Sequence, residues 1–99
     1  MQIELPQAAL HEFCQRHHIK KLSVFGSVLR SDFNAESDVD FLVEFDPHHI
    51  PGLIRLAGLE LELSNLVHHK VDLRTPKDLS RYFRDDVLRT AVVQYDSAQ

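Results

Sequence analysis

The chain has one cysteine, no surplus of positive charge and no apolar run of membrane-spanning length. Each of these absences removes a class of protein. A lone Cys14 cannot close an internal disulfide, and it supplies neither a zinc quartet nor a redox pair. Eleven Lys and Arg against fifteen Asp and Glu leave a formal net charge of −4, which argues against a nucleic-acid binder working through a broad basic face. Membrane insertion is not expected. The first residues do not combine a positive segment with an apolar one, so no signal peptide and a cytoplasmic location are expected. Internal repeats and low-complexity segments are also missing. What is present is ordinary for a folded globular protein: 99 residues, 43% hydrophobic and 26% charged. That length predicts a single domain over residues 1–99 with a modest core.

Hydrophobic periodicity divides the chain into seven elements. Ala9, Leu10, Phe13, Cys14 and His17 recur at helical spacing and predict a first helix over roughly residues 6–17. Leu22-Ser23-Val24-Phe25 reads as a short strand that ends at Gly26, with a short helix or turn from Val28 and a loop over Asn34–Ser37. Val39, Phe41, Val43 and Phe45 alternate with Asp38, Asp40, Leu42 and Glu44, the clearest strand in the sequence. Asp46-Pro47 closes it. After Pro51-Gly52, a stripe of Leu53, Leu56, Leu59, Leu63 and Leu66 predicts a helix to about Val67. Lys70–Arg74 is the third strand. Thr75 as cap with Pro76 behind it starts a last helix that carries Leu79, Phe83, Val87 and Ala91. The expected order is α-β-α-β-α-β-α. It predicts an α/β (α+β) fold, a small mixed β-sheet backed by helices.

The acids fall on this framework in a particular way. Asp38 and Asp40 are two apart on a strand, so both point to one face, with Cα atoms about 6.5–7 Å apart. Val39 and Phe41 point the other way, into the core. Asp72 sits on another strand between Val71 and Leu73, and converges on the pair if the two strands are neighbours. Carboxylates are the hard oxygen ligands that Mg²⁺ takes at about 2.0–2.1 Å. Two such ions about 3.5–4 Å apart can stabilise the attacking and leaving oxygens of an in-line phosphoryl displacement. Asp-Val-Asp alone is also compatible with Asp38 capping a turn.

Gly26-Ser27 follows a strand and opens a helical turn. Such a turn offers backbone N–H groups, and a glycine lets a phosphate approach closely. The Ser27 hydroxyl can add a donor, and Arg30, one turn on, can reach the same anion. It is not a Walker A loop, because the second glycine and the lysine are missing.

Together these features are far more specific than apart. Gly26-Ser27, ten residues from Val28 to Ser37, then Asp38-Val39-Asp40 and a later acid in Val71-Asp72-Leu73 resemble the signature of the polymerase-beta-like nucleotidyltransferases. The flanks Leu22–Phe25 and Phe41–Phe45, and the tail from Tyr82 to Val92, resemble the short prokaryotic branch, the minimal nucleotidyltransferase (MNT) antitoxins. The resemblance implies that Asp38, Asp40 and Asp72 hold two Mg²⁺ ions and are the catalytic acids, with Asp72 helping to activate the acceptor hydroxyl. It implies that Gly26 and Ser27, with Arg30, hold the triphosphate of ATP, and that AMP is transferred as pyrophosphate leaves. The implied partner is a HEPN-domain toxin, silenced when a tyrosine near its active site receives AMP within a hetero-oligomer. Family members often carry arginine directly after Gly-Ser and glycine after the second arginine; here Val28 and Ser31 stand at those places.

Two other readings remain beside this one. A non-catalytic antitoxin would mask the toxin by contact, through a middle helix whose Ile54 and Leu61 lie off the leucine stripe. A nucleotidyltransferase acting on RNA or a small molecule is the other, although the acidic balance makes direct nucleic-acid binding unexpected. Seven histidines, six of them in adjacent pairs, read as loop and helix-end residues, because neighbouring side chains diverge. Tyr82 and Tyr95 read as packing or surface residues.

Overall fold

In a computed structural model, residues 3–98 are described. Helix α1 (Gln7–Arg16) is followed by strand β1 (Ile19–Phe25), a single 3₁₀ turn (Gly26–Leu29) and strand β2 (Val39–Phe45). Helix α2 (Leu53–Val67) and strand β3 (Val71–Arg74) come next. A second 3₁₀ turn (Pro76–Asp78), helix α3 (Arg84–Thr90) and strand β4 (Val92–Asp96) complete the chain. The sheet order is β3-β2-β1-β4, with β1 antiparallel to both β2 and β4, and β2 parallel to β3. The parallel pair is possible because α2 carries the chain back between them, the βαβ arrangement that parallel neighbours require. The fold is therefore the expected mixed sheet backed by helices.

One face of the sheet is closed. Leu22, Val24, Val39, Phe41, Val43, Val71 and Leu73 meet Leu10, Phe13 and Cys14 of α1, and Leu59, Leu63 and Val67 of α2, in one cluster. The alternation in β2 sends every second side chain there. Cys14 is one of these apolar packing residues, and burial pushes its thiol up to about 12. The buried stripe of α2 starts later than the leucines suggest. Leu56, Leu59, Leu63 and Leu66 pack or half-pack, whereas Leu53, Ile54 and Leu61 are exposed. Among the described residues, no helix is long and apolar enough to cross a membrane.

The segment after Gly26 is one 3₁₀ turn, within the short helix or turn expected there. Two elements depart from expectation. The last helix is split: the Asp78 carboxylate accepts a hydrogen bond from the Thr75 N–H at 3.0 Å, but this cap starts only a three-residue turn. α3 begins six residues later, at Arg84. A fourth strand, β4, then pairs with β1. Val92 and Val93 are both partly exposed while Gln94 is buried, so β4 lacks the alternation by which a strand is read from sequence. Its existence depends on the free edge of β1, which is a tertiary fact. The histidine pairs sit where expected, at the ends of α1 and α2 and in a loop, and the members of the first pair diverge. His17 contacts Glu62 of α2, while His18 stacks on His49 with ring centroids 3.9 Å apart.

Candidate active site

The acids occupy the opposite face of the sheet. β2 and β3 are hydrogen-bonded neighbours, and their register sets Asp40 beside Asp72 and Leu42 beside Arg74. Side chains in register on parallel strands share a face, so the expected convergence of Asp40 with Asp72 is met. Asp38 lies just before β2, anchored where the Val39 N–H donates to the Lys70 carbonyl oxygen at 2.8 Å.

The turn after β1 fits against these acids. Gly26 has φ +74°, in the left-handed region, and a Cβ there would overlap the Asp40 carboxylate oxygen Oδ2. Glycine therefore suits this position twice: its backbone adopts the left-handed region without strain, and a Cβ would force the Asp40 carboxylate to shift. The Ser27 hydroxyl donates to the Asp38 carbonyl oxygen at 3.2 Å. Its backbone N–H is directed to the Asp40 carboxylate. The Gly-Ser turn thus holds the acids in place, a role the sequence reading did not give it.

The electrostatics show that the acids feel one another. Burial pushes the Asp40 carboxyl above the usual carboxylate range, and the negative charges of Asp72 and Asp38 push it further. Arg74 and the Ser27 N–H pull it back. Two carboxylates near a half-buried third are the environment that a cation relieves. The residues therefore fit a hard divalent ion in kind. Among the described residues, no three His, Cys, Asp or Glu side chains are drawn together as a finished metal cluster. Asp72 is instead engaged by Arg74, its two oxygens accepting from Arg74 Nε at 3.0 Å and from its terminal nitrogen at 3.3 Å.

Arg74 is a site residue that the sequence reading missed, although the signal was present. It stands two residues after Asp72 on the same strand and so on the same face. Arg30, which was expected to reach toward phosphate, is exposed, with Nε 3.5 Å from Asp32 Oδ1. Two further residues support the site from behind. β3 is an edge strand, and its outward N–H groups need partners. The Val71 N–H donates to Ser64 Oγ at 3.0 Å, and the Leu73 N–H to Glu60 Oε2 at 2.8 Å. Ser64 and Glu60 stand one turn apart on α2 and take the place of a missing strand, which fixes Asp72 between them.

The acid face is partly exposed: Asp38 and Asp40 are half-buried, and Asp72 keeps 37% of its side chain in solvent. A concavity of about 460 Å³ lined by Cys14, His18, Asp46 and Tyr95 includes none of the three acids. An acceptor bound at the acids would have to supply much of its own enclosure.

Comparison with known proteins gives a consistent picture. Residues 7–94 match the family described as nucleotidyltransferase domain. The protein adenylyltransferase MntA of Thermococcus cleftensis is 36% identical over 81 residues, 82% of this chain and 80% of the relative. A solved structure assigned as a minimal nucleotidyltransferase aligns with a TM-score of 0.71 at 35% identity, covering 87% of this chain and 86% of the other. Another, of a tri-AMPylated Shewanella oneidensis HEPN toxin in complex with an MNT antitoxin, aligns with a TM-score of 0.67. There the identity is 17% over 94% of this chain and 71% of that one, a likeness of fold alone.

Proposed function

The chain belongs to the nucleotidyltransferase domain family, and on that premise we propose that it is an antitoxin-type protein adenylyltransferase, which moves AMP from ATP onto a tyrosine hydroxyl of a HEPN-domain toxin. The observation that carries this reading is the acid face: Asp40 and Asp72 in register on adjacent strands, Asp38 one step away, and the Gly26-Ser27 turn fitted against them. The adenylyltransferase relative, aligned over most of both chains, supports the choice of AMP as the transferred group. The partial exposure of Asp72 leaves a side from which a protein partner can reach the acids.

In this reading Asp38, Asp40 and Asp72 hold two Mg²⁺ ions. When bound, these supply positive charge to the phosphate oxygens and to the attacking and leaving oxygens. The chain's own residues orient and hold. Gly26 lets the triphosphate approach the backbone, and Ser27 offers a hydroxyl that can turn from the Asp38 carbonyl to a phosphate oxygen. Arg30 would have to leave Asp32 to reach the same anion. Asp72 helps to take the proton of the acceptor hydroxyl, whose oxygen bonds to the α-phosphorus as pyrophosphate departs with its bridging oxygen.

Masking by contact is the second reading, favoured by one observation. Ile50, Leu53, Ile54 and Leu61 are all more than half exposed around α2, an apolar surface of the kind that partners cover. The double variant Asp38→Ala with Asp40→Ala separates the two. The enzymatic reading expects it to bind the cognate toxin and leave it active. Neutralisation at wild-type level by that variant would establish masking in place of catalysis.

A further inference from the structure

We propose that Arg74 is a built-in counter-cation that competes with divalent metal for Asp72 and so sets how tightly the site holds metal. The proposal rests on the reading of Asp38, Asp40 and Asp72 as metal ligands.

The geometry is local and complete. Arg74 and Asp72 lie two apart on β3, so their side chains leave the same face of the strand. The guanidinium approaches as a fork, Nε to Oδ1 at 3.0 Å and a terminal nitrogen to Oδ2 at 3.3 Å, and so engages both carboxylate oxygens. A divalent ion would draw on the same oxygens. Mg²⁺ demands near-ideal octahedral geometry at about 2.0–2.1 Å, which a carboxylate held in a bidentate fork serves poorly. A metal at Asp72 therefore competes with the fork for the charge and lone pairs of the same two oxygens.

The fork is able to open. Both side chains are more than a third exposed, 48% for Arg74 and 37% for Asp72, and such pairs are weak and easily exchanged. Until it opens, Arg74 offsets charge. Its positive charge lies close enough to act on Asp40 and Asp78 as well as on its own partner. Arg30, just after the Gly26-Ser27 turn, faces Asp32. A metal-free acid cluster with this internal cation repels itself less. The consequence is that bare metal binds weakly, because it must displace a charge already present.

The test is Mn²⁺ binding to the full chain without nucleotide, read from the electron paramagnetic resonance signal of free Mn²⁺. Arg74→Ala should bind Mn²⁺ about fivefold more tightly than wild type, the scale of one exposed ion pair. Arg74→Lys, which keeps the charge, should bring affinity back toward wild type. A reversal in thermal unfolding should accompany this: Arg74→Ala melts below wild type in chelator and is stabilised more by Mn²⁺. A purely structural role would lower stability in both buffers. Affinity in Arg74→Ala equal to or weaker than wild type overturns the proposal. If Asp40→Asn abolishes binding in the same series, the metal site itself still stands. If neither wild type nor Arg74→Ala binds Mn²⁺, the metal-ligand reading has failed, and this inference with it.

Discussion

Along β2, Val39, Phe41 and Val43 are fully shut from solvent, whereas Asp40, between the first two, faces the opposite side beside Asp72. The same strand therefore serves two purposes on its two faces. The helix-covered face gains stability from apolar burial, worth about 1.5–3 kcal/mol for each large side chain. The acid face works against stability, because it gathers like charges and half-buries one of them. The first holds the second rigid. A precise site needs such support, since acids that repel one another would spread on a loop.

The comparison can be broken by exchanging what each face contributes. Asp40→Ala should lower AMP transfer by about 10²–10³-fold, the scale of removing a group that serves the developing charge, while leaving denaturant unfolding near wild type. Phe41→Ala, one residue away, should do the reverse. It should cost about 3–5 kcal/mol in urea unfolding through the cavity it leaves, and lose transfer only as the fold is lost. If Asp40→Ala unfolds the protein, or Phe41→Ala leaves it stable, the division between the faces is wrong.

Gly26→Ala tests where the faces meet. Left-handed φ and overlap with the Asp40 carboxylate should together cost about 1–3 kcal/mol, and transfer should fall because Asp40 must move. An alanine variant with wild-type stability and activity would remove the argument for a close fit. Glu60→Ala sharpens the comparison from behind. It leaves the Leu73 N–H of an edge strand without a partner, for about 1–2 kcal/mol in unfolding and a smaller drop in transfer as Asp72 loosens.

The smallest effect has the opposite sign. Asp40 has a folded pKa above its unfolded value, so its ionised form disfavours folding at neutral pH. In chelator, Asp40→Asn should therefore melt above wild type. The gap should be widest above the raised pKa, shrink as pH falls through it, and vanish below the ordinary carboxylate range. Differential scanning calorimetry across pH checks this, and a variant that melts lower at neutral pH would contradict the electrostatic reading.

Much of this was visible in the sequence, for physical reasons. The alternation of β2 fixes which residues face the core, so Asp40 had to face away. Gly26 ended β1 as expected, because its backbone demand is local. What could not be read depends on other strands. β4 forms because β1 offers an edge, and Val92-Val93 carries no alternating pattern to announce it. The Thr75–Asp78 cap is a true local signal, but the chain after Leu79 turns at Ser80–Phe83 before α3 starts. The partners of Ser64 and Glu60 became visible only with β3 placed at the sheet edge. Arg74 was legible in spacing, yet its fork onto Asp72 is a matter of rotamer.

The central claim is that the acid face transfers the α-phosphorus of ATP, with its adenosine, to a protein hydroxyl. Two parallel incubations with the cognate toxin and Mg²⁺ test it, one with ATP labelled at the α-phosphate and one at the γ-phosphate. The account predicts label on the toxin from the α-position only, lost with Asp38→Ala plus Asp40→Ala. Label from the γ-position, or no label from either while the two proteins remain bound, would contradict it.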